Sequence, residues 1–83
     1  MTRSDIIVSI EQIVRDELDD DSIVLHAATS ASDVDGWDSL AHVRIVVAIE
    51  QAFNTRFSVG DITEIRDVGG LVSMVERAVA PRP

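Results

Sequence analysis

Residues 39–53 read as one helix, and that helix decides what this chain can build. Leu40, Val43, Val46 and Val47 recur at helical spacing, and so do Ile45, Ile49 and Phe53. The two sets fall on roughly opposite sides of one helix. Such a helix expects neighbours on both sides, so it reads as the central element. Ala41, Arg44, Ala48 and Gln51 are left as a narrow solvent strip. Valine and isoleucine are mediocre helix formers, so packing must hold this helix.

The flanks read as further helices. Ile6, Ile10, Ile13, Val14 and Leu18 give an amphipathic pattern over 3–18, which Thr2 or Ser4 can cap. Val68, Leu71, Val72, Val75 and Val79 give another over 68–79, opened by Asp67. Its first turn holds Gly69 and Gly70, which permit close approach of another backbone. A short turn over 61–65 directs Ile62 and Ile65 inward, and Phe57 and Val59 anchor the segment before it. Residues 80–83 form a tail. No strand pattern survives. The expected fold is all-α: one domain over 1–83, a small antiparallel bundle of three main helices and a short one.

Residues 19–37 form an unusually long connection for so small a domain. Ile23, Val24 or Leu25 must pin it to the core, and Trp37 staples its end onto the helix. Residues 11–38 hold nine acids and one base, Arg15, which accounts for the whole net charge of −8. Residues 39–83 are neutral. The acidic run reads either as a solvated loop or as a field that steers basic partners toward Ser39 at the entrance of the central helix. A chain with 7 arginines and no lysine against 15 acids does not suit nucleic acid, which needs clustered cations.

The chain has no cysteine, so it lacks a disulfide framework, thiolate metal ligands and a thiol nucleophile. That fits a reducing cytoplasm. The N-terminus leads into an amphipathic pattern, and no apolar run reaches the length of a membrane span.

The chemical candidates gather at Asp35-Gly36-Trp37-Asp38-Ser39-Leu40. Asp38 is placed to cap the central helix. Ser39 then lies in a first turn whose N–H groups lack intrahelical partners and face the positive end of the dipole. A phosphate on Ser39 suits that position. Ser39, His42 and Asp38 also suggest a nucleophilic triad, but a chain this small offers little room for an oxyanion hole and substrate pocket. No catalytic residue is expected. His26 and His42 are the only histidines, and Asp19-Asp20-Asp21 lacks the ligand spacing of a calcium loop, so no metal site is expected.

Asp38-Ser39-Leu40, then Val43, Ile45, Glu50 and Phe53, then Phe57, Asp61-Ile62 and Val68 to Val75 resemble the acyl carrier and peptidyl carrier proteins. The resemblance covers essentially the whole chain. It implies that Ser39 carries 4'-phosphopantetheine, added from coenzyme A by a phosphopantetheinyl transferase with magnesium. Asp38 would cap the helix and help place that metal. The arm's thiol would hold acyl or aminoacyl cargo as a thioester, which explains a chain without cysteine. A groove between the central and later helices would shelter an acyl chain. Partners would be a loading ligase and a downstream transferase or synthase, which a discrete monomeric carrier meets through Trp37, Leu40, Ala41, Arg44 and Gln51.

Two departures bear on the pathway. Carriers of fatty acid synthesis usually bear acids along the exposed strip of this helix, where this chain has Ala41, Arg44 and Gln51 and retains Glu50. Trp37 replaces a small or aliphatic residue. Gly-Trp-Asp-Ser-Leu is similar to free-standing carriers of specialised pathways. The competing expectations are a housekeeping fatty acid carrier and an unmodified helical adaptor.

Overall fold

A computed structural model describes residues 2–63 and 65–79. Four helices follow in order: α1 (Arg3–Leu18), α2 (Ser39–Ala52), α3 (Val59–Thr63) and α4 (Val68–Val79), with a 3-10 turn at Ala31–Asp33. The described residues contain no strand. None of these helices is long and apolar enough to cross a membrane.

Local chemistry sets the ends of each helix. The Thr2 hydroxyl accepts the Asp5 N–H at 3.1 Å, and the Thr2 N–H donates back to the Asp5 carboxylate at 3.1 Å, a capping box. Asp19 closes α1 in the left-handed region at φ 52°, and Asn54 ends α2 at φ 50°. Beyond Asn54, the Thr55 N–H returns to the Glu50 carbonyl at 2.9 Å, which satisfies a carbonyl the helix would leave open. The short helix lies two residues earlier than its expected 61–65. Ser58 explains the offset, because its hydroxyl accepts the Asp61 N–H at 3.1 Å and caps the turn. Val59 is consequently exposed on its first residue and anchors nothing, while Phe57 is half-buried against the core.

Ile6, Ile10 and Val14 of α1 pack with Ile45 and Ile49 of α2 and with Val68, Leu71, Val72 and Val75 of α4. Arg3 at the start of α1 pairs with Glu76 near the end of α4, so these two helices run antiparallel. No polar side chain is fully buried among the described residues. Burial of aliphatic surface is thus the main stabilising term.

The long connection is ordered by specific bonds. Ile23 and Leu25 point into the core and Val24 out, the alternation of an extended segment. The Arg15 guanidinium donates to the Ile23 carbonyl at 2.7 Å, and the Leu25 N–H donates to Glu11 at 2.9 Å. Farther on, the connection covers the start of α4. The Val68 N–H donates to Thr29 O and the Gly69 N–H to Ala27 O, both at 2.8 Å. Asp67 accepts the Gly70 N–H at 2.9 Å. The orphan donors of that helix end are thereby satisfied. Gly69 is needed here, since a Cβ would lie 3.1 Å from Ala27 O.

Candidate functional site at the entrance of the second helix

The approach to α2 is a tight turn. Gly36 adopts φ 89°, a conformation that favours glycine. The Trp37 N–H donates to Val34 O at 3.3 Å and the Asp38 N–H to Gly36 O at 3.0 Å. Asp38 then stands at the N-cap with extended backbone, and its Oδ1 accepts the Ala41 N–H at 2.8 Å. Its carbonyl takes the first intrahelical bond, from the His42 N–H at 2.8 Å. The sequence expectation for Asp38 as a helix cap therefore holds.

Ser39 is the first residue of α2, and its side chain is exposed. Asp38 Oδ1 takes the Ala41 N–H and the Asp38 carbonyl the His42 N–H, and the amides of Ser39 and Leu40 find no partner among the described residues. Two N–H groups and the positive end of a 14-residue helix are left beside the hydroxyl.

The surface around Ser39 differs from the expected one. Leu40, Val43 and Val47 were predicted to turn inward with Val46, yet only Val46 does. Leu40 is 74% exposed, Val43 59% and Val47 44%. Ala41 was predicted on the solvent strip and is 1% exposed. Ala41, Ile45 and Ile49, spaced by four, form the buried face with Val46. The aliphatic set on the opposite side stays uncovered by the packed helices. A docking role for Ala41 is accordingly not available to its side chain.

Arg44 and Gln51 are exposed as expected. The Arg44 Nε lies 3.6 Å from Glu17 of α1, which offsets part of its charge. Glu50 was expected to face partners. Instead its carboxylate accepts the Phe57 N–H at 2.8 Å and ties down the segment before α3.

Trp37 is 8% exposed and belongs to the core cluster, the role of a staple rather than of an open docking side chain. Its Nε1–H donates to His42 Nδ1 at 3.1 Å, with the two rings stacked 6.1 Å apart at 27°. Burial pushes the His42 imidazole below its ordinary pKa. The triad is therefore not assembled. Nδ1 of His42 is committed to Trp37, Asp38 is committed to a backbone amide, and no described bond joins His42 to Ser39. Nothing in the separate patterns of Trp37 and His42 announces this bond. Their separation, from N′ to the first turn, was the available signal.

Acids surround the entrance. Asp33 and Asp35 are exposed on the approach. The Ser30 backbone N–H, with its hydroxyl, holds the Asp33 carboxyl below the usual range.

Comparison with known proteins agrees with this geometry. A family profile described as the phosphopantetheine attachment site matches residues 8–75. Acyl carrier protein 3 of Ralstonia nicotianae is 33% identical over 82 residues, covering 99% of this chain and 94% of the relative. The solution structure of the holo acyl carrier protein of Geobacter metallireducens superposes with a TM-score of 0.84 at 38% identity, covering 89% of this chain and 85% of that one. The chain belongs to the phosphopantetheine-binding acyl carrier proteins, which bear covalent 4'-phosphopantetheine and act as carriers rather than as catalysts.

Proposed function

We propose that Ser39 is the attachment point of phosphopantetheine, and that the chain carries acyl or aminoacyl groups for a specialised biosynthetic pathway. One observation carries the assignment of Ser39. Its exposed hydroxyl stands at the first position of α2 beside the unpaired amides of Ser39 and Leu40. A phosphodiester fits there, because oriented N–H groups and the helix dipole favour an anion. When bound, the group supplies the thiol on which cargo is held as a thioester, and the chain itself has no cysteine.

The remaining work falls to the chain. Asp38 fixes the first turn and so the direction of the Ser39 hydroxyl, and its outer carboxylate oxygen is free to face the transferase's magnesium. Leu40, Val43 and Val47 present an apolar ridge running away from Ser39, with Arg44 and Gln51 beside it. A partner matching this ridge needs an apolar groove more than a basic patch. That composition supports a specialised pathway over housekeeping fatty acid synthesis, as does Trp37 at the turn.

Fragmentation of the modified chain tests the attachment point. The arm is expected on Ser39 and on no other serine. An arm on Ser30, Ser32 or Ser58 would overturn the assignment. For the pathway, the expected result is a poor kcat/KM with a fatty-acid ketosynthase relative to that enzyme's own carrier. Equal values would return the chain to housekeeping synthesis.

A further inference from the structure

The space between α2 and α4 next to Ser39 is almost full. The hollow there has a volume of about 30 Å³ and is lined by Thr29, Ala31, Trp37, His42, Ile65 and Leu71 among others. Dry cavities that admit a benzene-sized guest are about 150 Å³, several times larger. Beneath it, Ile45, Ile49, Leu71 and Val72 are at most 1% exposed, so no deeper space opens. Interiors packed this closely do not yield room without moving a side chain.

Two side chains fill the entrance. Trp37 comes two residues before Ser39 and His42 three residues after it. Their rings stack and are joined by the 3.1 Å bond from Nε1–H to Nδ1. A guest chain entering at this end must displace an indole that is 8% exposed and break that bond. A second hollow, of about 700 Å³, lies farther along α2 around Val47, Glu50, Asn54, Thr55, Arg56 and Ala78. Its walls are largely polar, and Glu50 stands roughly 16 Å along the helix axis from Ser39.

We propose that Trp37 and His42 form a plug that closes the interior beside Ser39, so that cargo stays outside the bundle and belongs to the class of short or polar acyl groups rather than long alkyl chains. This rests on Ser39 as the attachment point. A long alkyl chain left in water gains nothing from the aliphatic core, whereas a short or polar acyl group loses little by staying outside.

The test loads the full chain from acetyl- and octanoyl-coenzyme A with a promiscuous transferase. Intact mass is read first, on wild type and Ser39→Ala. Failure to load, or equal loading of Ser39→Ala, defeats the attachment point itself before any rate is measured. Hydroxylamine cleavage then follows each thioester, divided by the rate for the corresponding acyl-coenzyme A. A sheltered thioester reacts only from its open fraction, so its protection reports that fraction. The plug predicts octanoyl and acetyl ratios within about twofold in wild type, and octanoyl protection of about tenfold overturns the proposal. Trp37→Leu, folded by circular dichroism, is expected to slow octanoyl cleavage at least about threefold while acetyl cleavage is unchanged. A folded Trp37→Leu with no slowing overturns the assignment of the plug. If that variant does not fold, His42→Ala is read by the same two criteria.

Discussion

Replacing Asp38 separates its structural role from its chemical one. Oδ1 accepts the Ala41 N–H at 2.8 Å, and Ala41 is 1% exposed. In Asp38→Ala that amide loses its acceptor at a partly buried position. Loss of an N-cap costs about 0.5–2 kcal/mol, and the burial of Ala41 places this one in the upper half, near ~1.5 kcal/mol. For a chain of this size that lowers Tm by about 6–12 °C. Asp38→Asn keeps an acceptor oxygen and removes only the charge at the positive helix end, worth ~0.5 kcal/mol. Urea unfolding of the unmodified protein should therefore rank wild type above Asn, and Asn well above Ala. Transferase kinetics add the second readout. If the carboxylate also faces the transferase's metal, Asp38→Asn should lose at least about tenfold in kcat/KM, far beyond its small loss of stability. An Asp38→Ala protein as stable as wild type would refute the capping role. An Asn variant as unstable as Ala would show that charge, not the hydrogen bond, holds the turn.

The two glycines of α4 should respond with opposite signs. Gly69→Ala puts a Cβ 3.1 Å from Ala27 O and is expected to destabilise by ~1 kcal/mol, whereas the nearest contact at Gly70 is 3.6 Å and Gly70→Ala should be neutral or stabilising. Equal effects in thermal unfolding would remove the close approach from the account. His42 titrates below its ordinary 6.5 because it is buried, so the unfolded chain takes up the proton first. Stability should be complete above pH 6.5 and fall as pH drops through the folded value, and His42→Gln should flatten that window. Asp5, Asp20 and Asp33, held low by Thr2, Ser22 and Ser30, act only below 3.8. Arg44→Glu places a second acid beside Glu17, yet a pair this exposed contributes little, so Tm should shift by no more than a few degrees. The same variant should raise kcat/KM with a fatty-acid ketosynthase; unchanged kinetics would deny Arg44 a part in partner choice.

Much of the fold was legible because helix ends and aliphatic periodicity are local. Asp38 and Asp67 are readable as caps from their own side chains, and the cap of α1 as Thr2 or Ser4, of which the structure uses Thr2. The connection was harder. That Ile23 and Leu25 face inward while Val24 faces out depends on Glu11 and Arg15 holding the backbone from another helix. For the short helix, hydrophobic spacing points to 61–65, whereas the Ser58 hydroxyl caps a turn that begins at Val59. The larger error concerned α2. Two aliphatic stripes on one helix look alike in a sequence, and nothing local says which one α1 and α4 will cover. The structure leaves Leu40, Val43 and Val47 in solvent on the Ser39 helix. The position of Ser39 at the head of α2 was legible, since the residue and its cap sit together in Asp38-Ser39-Leu40. The Trp37–His42 contact was not, because it depends on how the turn at Gly36 folds the indole back over the helix.

The central claim is that Ser39 bears the arm. Incubation with coenzyme A, magnesium and a promiscuous phosphopantetheinyl transferase, followed by intact mass, measures it directly. Wild type is expected to gain a single phosphopantetheine and Ser39→Ala none. No gain on the folded wild type, or an equal gain on Ser39→Ala, would contradict it.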